Sequence, residues 1–202
     1  PEQDVVSGDF PTVVSPNPEE PAALSMAVEK AKETDAELVL ASDPDADRVG
    51  AAVKNNEGEW VLLNGNQTAL MFVYYLITRW KELGKIQGKE YIVKTIVTTE
   101  TIKTIADRNG VGFYDVYTGF KWIANVMKQN EGKLNYIGGG EESYGSCAKI
   151  SYVIKMPFQL VPYWLKSQLG QKTKACQCIS CCRRSMLNMD SRRKRYFCRE
   201  ER

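Results

Sequence analysis

There is no histidine among the 202 residues. Within them, that excludes a Ser-His-Asp triad, a Cys-His nucleophile pair and any His-ligated metal. No apolar run approaches the roughly 20 residues that a membrane-spanning helix needs. The first residues, PEQDVVSGDF, are acidic rather than apolar, so no secretory leader is expected. Hydrophobic residues at 43% and charged residues at 26% are ordinary for a globular chain and unlike disorder or collagen. The length suits one sizeable domain or two small ones with a real core.

What is present is unevenly spread. Residues 1–145 hold 14 Lys+Arg against 22 Asp+Glu, a net charge of −8, whereas residues 146–202 hold 13 against 3, a net charge of +10. All six cysteines (Cys147, Cys176, Cys178, Cys181, Cys182 and Cys198) fall in the second part. Two compositions therefore meet near Gly145.

The acidic part alternates helix and strand signals. FPTVVSPNPEEP is proline-rich and reads as loop. Pro21 suits a first helical turn, and Leu24, Ala27, Val28 and Ala31 recur at helical spacing. Glu37–Ala41 is a short apolar run that suits a buried strand. Val49–Val53 and Glu59–Leu63 flank Asn55-Asn56-Glu57-Gly58, a hairpin signal. A long helix is expected to start after Asn64-Gly65-Asn66 and run to about Leu83, and Gly84 suits its end. After a linker over Gly84–Glu90, Tyr91–Val97 reads as a strand, Thr99–Arg108 as a helix, Gly112–Val116 as a strand, Gly119–Lys128 as a helix and Leu134–Ile137 as a strand. Strands alternating with helices imply an α/β layer architecture.

Three segments carry chemistry. Asp43-Pro-Asp-Ala-Asp47-Arg48 follows an apolar strand, and carboxylates at alternate positions of a turn can converge on one hard cation. Mg²⁺ takes oxygen ligands in near-octahedral geometry and keeps room for a substrate phosphate. A surface turn closed by Asx hydrogen bonds is the competing reading. An EF-hand does not fit, because Arg48 stands at its glycine position and Lys54 at its bidentate glutamate position. Gly138-Gly139-Gly140-Glu141-Glu142-Ser143-Tyr144-Gly145 lets backbone approach a ligand and offers Glu141 and Ser143 to sugar hydroxyls. A simple glycine-rich turn is the alternative. Thr118-Gly119-Phe120-Lys121 offers a loop donor and a cation, or else a helix N-cap at Thr118 with a solvated lysine.

Taken in order, SPNPEEP, DPDADR, LNGNQ, VKTIVTT, YDVYTGFKWIANV and GGGEESYG resemble the α-D-phosphohexomutases, the phosphoglucomutase and phosphomannomutase family, over roughly residues 8–145. The resemblance implies consecutive α/β domains, each a mixed sheet flanked by helices. It implies a Mg²⁺ loop at Asp43, Asp45 and Asp47 with Arg48 beside it as a catalytic residue. It also implies a sugar-binding loop at Glu141 and Ser143, with Thr118 and Gly119 nearby and Lys121 as a second catalytic group. The expected reaction moves phosphate between the 1- and 6-positions of glucose or mannose phosphate, through a phosphoserine and a bisphosphorylated intermediate. Such a reaction runs chiefly on positioning and charge neutralisation.

Neither the family's phosphoserine loop nor its phosphate-anchoring segment is found in these residues. The expected organisation is a metal-loop domain over residues 1–88, an incomplete sugar-loop domain over 89–148 and a basic, Cys-rich tail over 149–202. In the family, GEESYG runs on into something like FVRDKDAVSAC. Here Ile154–Val161 (IKMPFQLV) can be encoded by a string that reads DKDAVSAC one nucleotide earlier, so the tail is read as frameshifted. A zinc or nucleic-acid tail is the weaker rival, because Cys-x-Cys-x-x-Cys-Cys lacks two spaced Cys-x-x-Cys arms. The chain is thus expected to be cytoplasmic, to need Mg²⁺, and to engage hexose phosphate but no nucleic acid, membrane or protein partner. On its own it is expected to be inactive. A non-catalytic Mg²⁺- and sugar-phosphate-binding module is the alternative, and a phosphatase with an aspartate nucleophile in DPDAD is a remote third.

Overall fold

A computed structural model describes residue 3 and residues 7–45, 47–143 and 145–148. The expected tail over 149–202, with the frameshift read there and five of the chain's six cysteines, lies outside the described residues.

The first helix, α1 (Pro21–Glu33), begins on proline as its sequence suggests. Leu24 and Ala31 on one face pack on Val39 and Ala52 of the first sheet. That sheet is antiparallel, in the order β1-β2-β3, with β1 Leu38–Ser42, β2 Val49–Lys54 and β3 Trp60–Leu63. Side chains alternate along β2, so Ala52 faces α1 while Ala51 and Val53 face the opposite way, into a second cluster. Because β1 and β3 both run antiparallel to β2, the metal-loop aspartates at the end of β1 and the exit of β3 lie at the same end of this sheet.

The next helix, α2 (Gly65–Glu82), has a complete capping box: the Asn64 side chain accepts from Gln67 N, and the Gln67 side chain accepts from Asn64 N, both at 2.9 Å. Thr68, Ala69, Leu70, Phe72, Val73, Leu76 and Ile77 are all buried, wider than a single stripe. The reason is position, since a helix covered on two sides is apolar on two sides. Its residues share one core with Val49, Ala51 and Val53 of the first sheet and with Ile92 and Ile137 of the second. The sequence placed α2 at the end of the first unit, before a linker. In the fold it packs against both sheets.

The second sheet is mixed, in the order β5-β4-β6-β7, with β4 Glu90–Thr95, β5 Gly112–Val116, β6 Asn135–Gly140 and β7 Ser146–Ala148. β4 pairs in parallel with β5 and β6, and β7 is antiparallel to β6. From β4 the chain crosses outward to β5 through α3 (Thr101–Arg108), then back past β4 to β6 through α4 (Phe120–Gln129). Crossovers of one hand then put the two helices on opposite faces. Ile102 and Ile105 of α3 accordingly join the core containing Ile92, while Ile123 of α4 packs with Tyr91, Val93 and Tyr136.

Two strands end elsewhere than the sequence suggests. β4 stops at Thr95: Ile96 N still donates to Val116 O at 2.8 Å, but Thr98 N then turns back onto Thr95 O at 3.0 Å, and Ile96 and Val97 are each 54% exposed. β6 runs on through Gly138–Gly140, since a strand paired on both sides needs no side chain to continue its ladder.

Candidate metal and sugar loops

The DPDADR turn leaves β1 and returns into β2. Asp43 Oδ1 accepts the backbone N–H groups of Asp47 and Arg48, both at 3.0 Å, so the turn is closed by the Asx bonding its sequence allows. That bonding does not compete with a metal role, because it leaves the other carboxyl oxygen. Carboxylate oxygens of Asp43, Asp45 and Asp47 all lie within 4.8 Å of one another, with Asp43 buried and Asp45 exposed. Burial pushes the Asp43 carboxyl above its ordinary range. The neighbouring Asp45 and Asp47 carboxyls push the same way, against the Arg48 N–H that favours the charged form. Three hard oxygen donors crowded at one turn, with the charge on Asp43 disfavoured, fit a divalent cation.

Arg48 supplies part of the missing positive charge. Its Nε lies 3.6 Å from Asp43 Oδ2 and 3.7 Å from Asp47 Oδ1. Its other face meets the SPNPEEP segment, with Nη1 donating to Asn17 Oδ1 at 3.3 Å and lying 4.0 Å from Glu19 Oε1. That segment sits tight on β2. A Cβ at Gly50 would come within 2.5 Å of the Pro18 carbonyl oxygen, so only glycine admits this contact. SPNPEEP reads from the sequence as loop and as part of the family resemblance, neither of which predicts the contact of Asn17 and Glu19 with Arg48.

The sugar-loop residues gather at the carboxyl ends of β4, β5 and β6. The chain after β4 leaves toward the α3 face and the chain after β5 toward the α4 face, and such a divergence opens a crevice where α/β proteins place ligands. Thr118 and Lys121 are exposed at the start of α4, with Lys121 Nζ 5.3 Å from the Trp122 ring centre. The helix N-cap is Gly119, not Thr118, and no side chain caps it. Gly119 has φ 117°, a conformation that L side chains rarely adopt.

Glu141 is only 2% exposed, and its Oε1 accepts from Gly119 N at 2.9 Å. The residue expected to meet sugar hydroxyls therefore also ties the two sugar-side loops together. Ser143 is half-buried in the same turn, which is closed by Glu141 N donating to Gly145 O at 2.7 Å. Glu142 faces the other way and accepts from Thr95 and Thr98. The sequence singled out neither threonine. A threonine after a strand carries no signal of which loop it will meet.

The two halves share an edge. Thr99 N, in the turn after β4, donates to Asn66 Oδ1 in the first turn of α2 at 2.9 Å. Because α2 starts where β3 ends, at the metal-loop end of the first sheet, the aspartates and the sugar-side loops open toward the same side of the molecule.

Comparison with known proteins gives this arrangement a context. The family description "Phosphoglucomutase/phosphomannomutase, alpha/beta/alpha domain II" matches residues 1–58, and its domain III counterpart matches residues 64–153. The second match thus begins at α2. The chain is 35% identical over 167 residues to the phosphoglucomutase of Staphylococcus saprophyticus, covering 82% of this chain and 30% of that protein. It is 38% identical over 150 residues to the phosphoribomutase of Saccharomyces cerevisiae, covering 72% of this chain and 24% of that protein. To the human phosphopentomutase it is 38% identical over 133 residues, 64% of this chain and 22% of that one. The chain therefore spans between about a fifth and a third of the length of these relatives. Among solved structures, a Thermus thermophilus chain named provisionally as a phosphomannomutase superposes with a TM-score of 0.65 at 22% identity, covering 85% of this chain and 36% of that one. A phosphoglucomutase/phosphomannomutase family protein from Burkholderia thailandensis gives 0.56 at 22% identity, covering 71% and 28%. At that identity the likeness is one of fold.

Proposed function

Because the chain belongs to the phosphoglucomutase/phosphomannomutase family, we propose that its two loops form the metal and sugar portions of a sugar-phosphate mutase that interconverts hexose 1-phosphate and hexose 6-phosphate in the cytoplasm. The observation that carries this reading is the convergence of Asp43, Asp45 and Asp47 at the edge onto which the sugar-side loops also open.

In this reading the three aspartates hold Mg²⁺, and Arg48 neutralises their excess charge. Bound Mg²⁺ supplies positive charge against phosphoryl oxygens. Ser143 and the Glu141 turn receive the sugar hydroxyls, and Thr118, Gly119 and Lys121 close over the same sugar. The family's phosphoserine loop is not found in these 202 residues, so in this reading they bind substrate without turning it over. Positioning is the larger part of what such a site contributes, because phosphoryl transfer asks little covalent chemistry of the protein.

A coupled assay for conversion of glucose 1-phosphate to glucose 6-phosphate by the purified chain tests this. No turnover is expected, and turnover at the rate of full-length family enzymes would overturn the placement of the phosphoryl-carrying serine. A second reading, with pentose 1- and 5-phosphates as substrates, is favoured by the 38% identity to the phosphopentomutase and phosphoribomutase relatives. Tighter binding of ribose 1-phosphate than of glucose 1-phosphate would select it.

A further inference from the structure

We propose that Glu142 is the positioning residue of the sugar loop, fixing residues 141–145 against the turn that follows β4. The inference rests on the sugar-phosphate reading above and assigns a role to a carboxylate that reading does not use.

Adjacent glutamates hold the loop on two sides. Glu141 reaches the loop after β5, through Gly119 N. Glu142 reaches the turn after β4, where its Oε2 accepts from Thr95 Oγ1 at 2.9 Å and Thr98 Oγ1 at 3.2 Å. The two hydroxyl oxygens are 2.7 Å apart, and both threonines are buried. Two hydroxyl protons thus serve three contacts. Without the carboxylate, one hydroxyl can donate to the other, and the second proton is left facing a buried site with no acceptor.

The turn that Glu142 grips is anchored independently of the loop. Lys94 Nζ, fully buried, donates to Thr95 O at 3.1 Å and to Asp115 Oδ1 at 2.7 Å, and pairs with Glu100 Oε1 at 2.9 Å. Thr99 N is held by Asn66. Glu141 joins one loop to another loop, but Glu142 joins the sugar loop to a strand end fixed from the sheet and from α2. The loop is closed at its base by the pairing of Gly140 with Ser146, and Glu142 is the side-chain contact that fixes it against the end of β4, so that its binding groups keep their geometry.

The test compares wild type, Glu142→Ala, Glu142→Gln and Thr98→Val. It combines hydrogen exchange of amides 95–99 and 141–145, calorimetry with glucose 1-phosphate at saturating Mg²⁺, and Mg²⁺ titration alone. Glu142→Ala is expected to speed exchange across 141–145 and weaken glucose 1-phosphate about tenfold, with Mg²⁺ affinity unchanged. Glu142→Gln recovers most of the affinity, because its amide oxygen still accepts. Thr98→Val, which keeps the side-chain shape and removes one donor, shifts both readouts in the same direction by less, and it carries the test if the alanine variant does not fold. Unchanged exchange, or faster exchange with an unchanged dissociation constant, overturns the positioning role. A wild-type chain that binds no sugar phosphate overturns the proposed function, and the positioning role falls with it even if the exchange pattern shows the clamp.

Discussion

Glu141 Oε1 accepts the backbone N–H of Gly119 at 2.9 Å, joining the turn after β6 to the loop after β5. The bond depends on Gly119 holding φ 117°. A Cβ there has room, since its nearest neighbour would be Trp122 Cδ1 at 3.8 Å, so the obstacle to other residues is backbone strain and not space. Gly119→Ala is expected to cost about 1–3 kcal/mol of stability and to weaken sugar-phosphate binding. Chemical denaturation and calorimetry on the same preparation measure both, and an alanine variant as stable as wild type would contradict the strain.

Crowding at the metal loop predicts a trade between stability and binding. The folded state raises the Asp43 carboxyl through burial and through its acidic neighbours, so its ionised form is unfavourable without a cation. Asp43→Asn keeps an oxygen for the two backbone donors and removes one charge. Without Mg²⁺ it is expected to melt at or above the wild-type temperature, while losing the upward shift that Mg²⁺ gives wild type. Thermal melts with and without Mg²⁺ check both statements.

Glu90 gives a different pH signature. Burial alone would raise its carboxyl, but N–H donors on Gln87, Asn135 and Lys89 outweigh that and hold it below its ordinary value of 4.5. A depressed folded value means that the stabilisation is fully present above the ordinary carboxyl value and is lost as pH falls through the folded one. Stability should therefore drop with acid below about pH 4.5, and Glu90→Gln should flatten that limb while lowering stability at neutral pH. Urea midpoints taken from about pH 6 to about pH 3 decide this.

Gly50 tests the support behind Arg48. An added Cβ would meet Pro18 O at 2.5 Å and Pro18 Cβ at 2.8 Å. Gly50→Ala must push SPNPEEP off β2, at about 1–3 kcal/mol, and take Asn17 and Glu19 away from Arg48. Mg²⁺ affinity should fall in calorimetry, while hydrogen exchange at 141–145 stays as in wild type.

Much of this architecture was legible in the sequence because local rules agreed with the fold. Pro21 opened α1, the Asn64-Gly65-Asn66 turn marked the approach to α2, and Asn55–Gly58 turned β2 into β3, although the capping box of Asn64 with Gln67 came only with the fold. DPDADR stood out because carboxylates at alternate positions of a turn can converge, and the fold brings those of Asp43, Asp45 and Asp47 within 4.8 Å of one another. What escaped was set by contacts distant in sequence. The burial of α2 between two sheets depends on both partners, so its periodicity could not say which unit it belonged to. The exposure of Ile96 and Val97 depends on the turn that Thr98 N closes onto Thr95 O at the carboxyl end of β4. The grip of Thr95 and Thr98 on Glu142 spans 47 and 44 positions, and no local pattern announces it.

Calorimetric titration of glucose 1-phosphate into the purified chain, with and without Mg²⁺ and in parallel with Asp45→Ala, tests the central claim most directly. The account predicts saturable binding by wild type in Mg²⁺ that is lost on chelation and in Asp45→Ala, which removes the exposed carboxylate of the three. Binding of equal strength in Asp45→Ala, or none by wild type in saturating Mg²⁺, would contradict it.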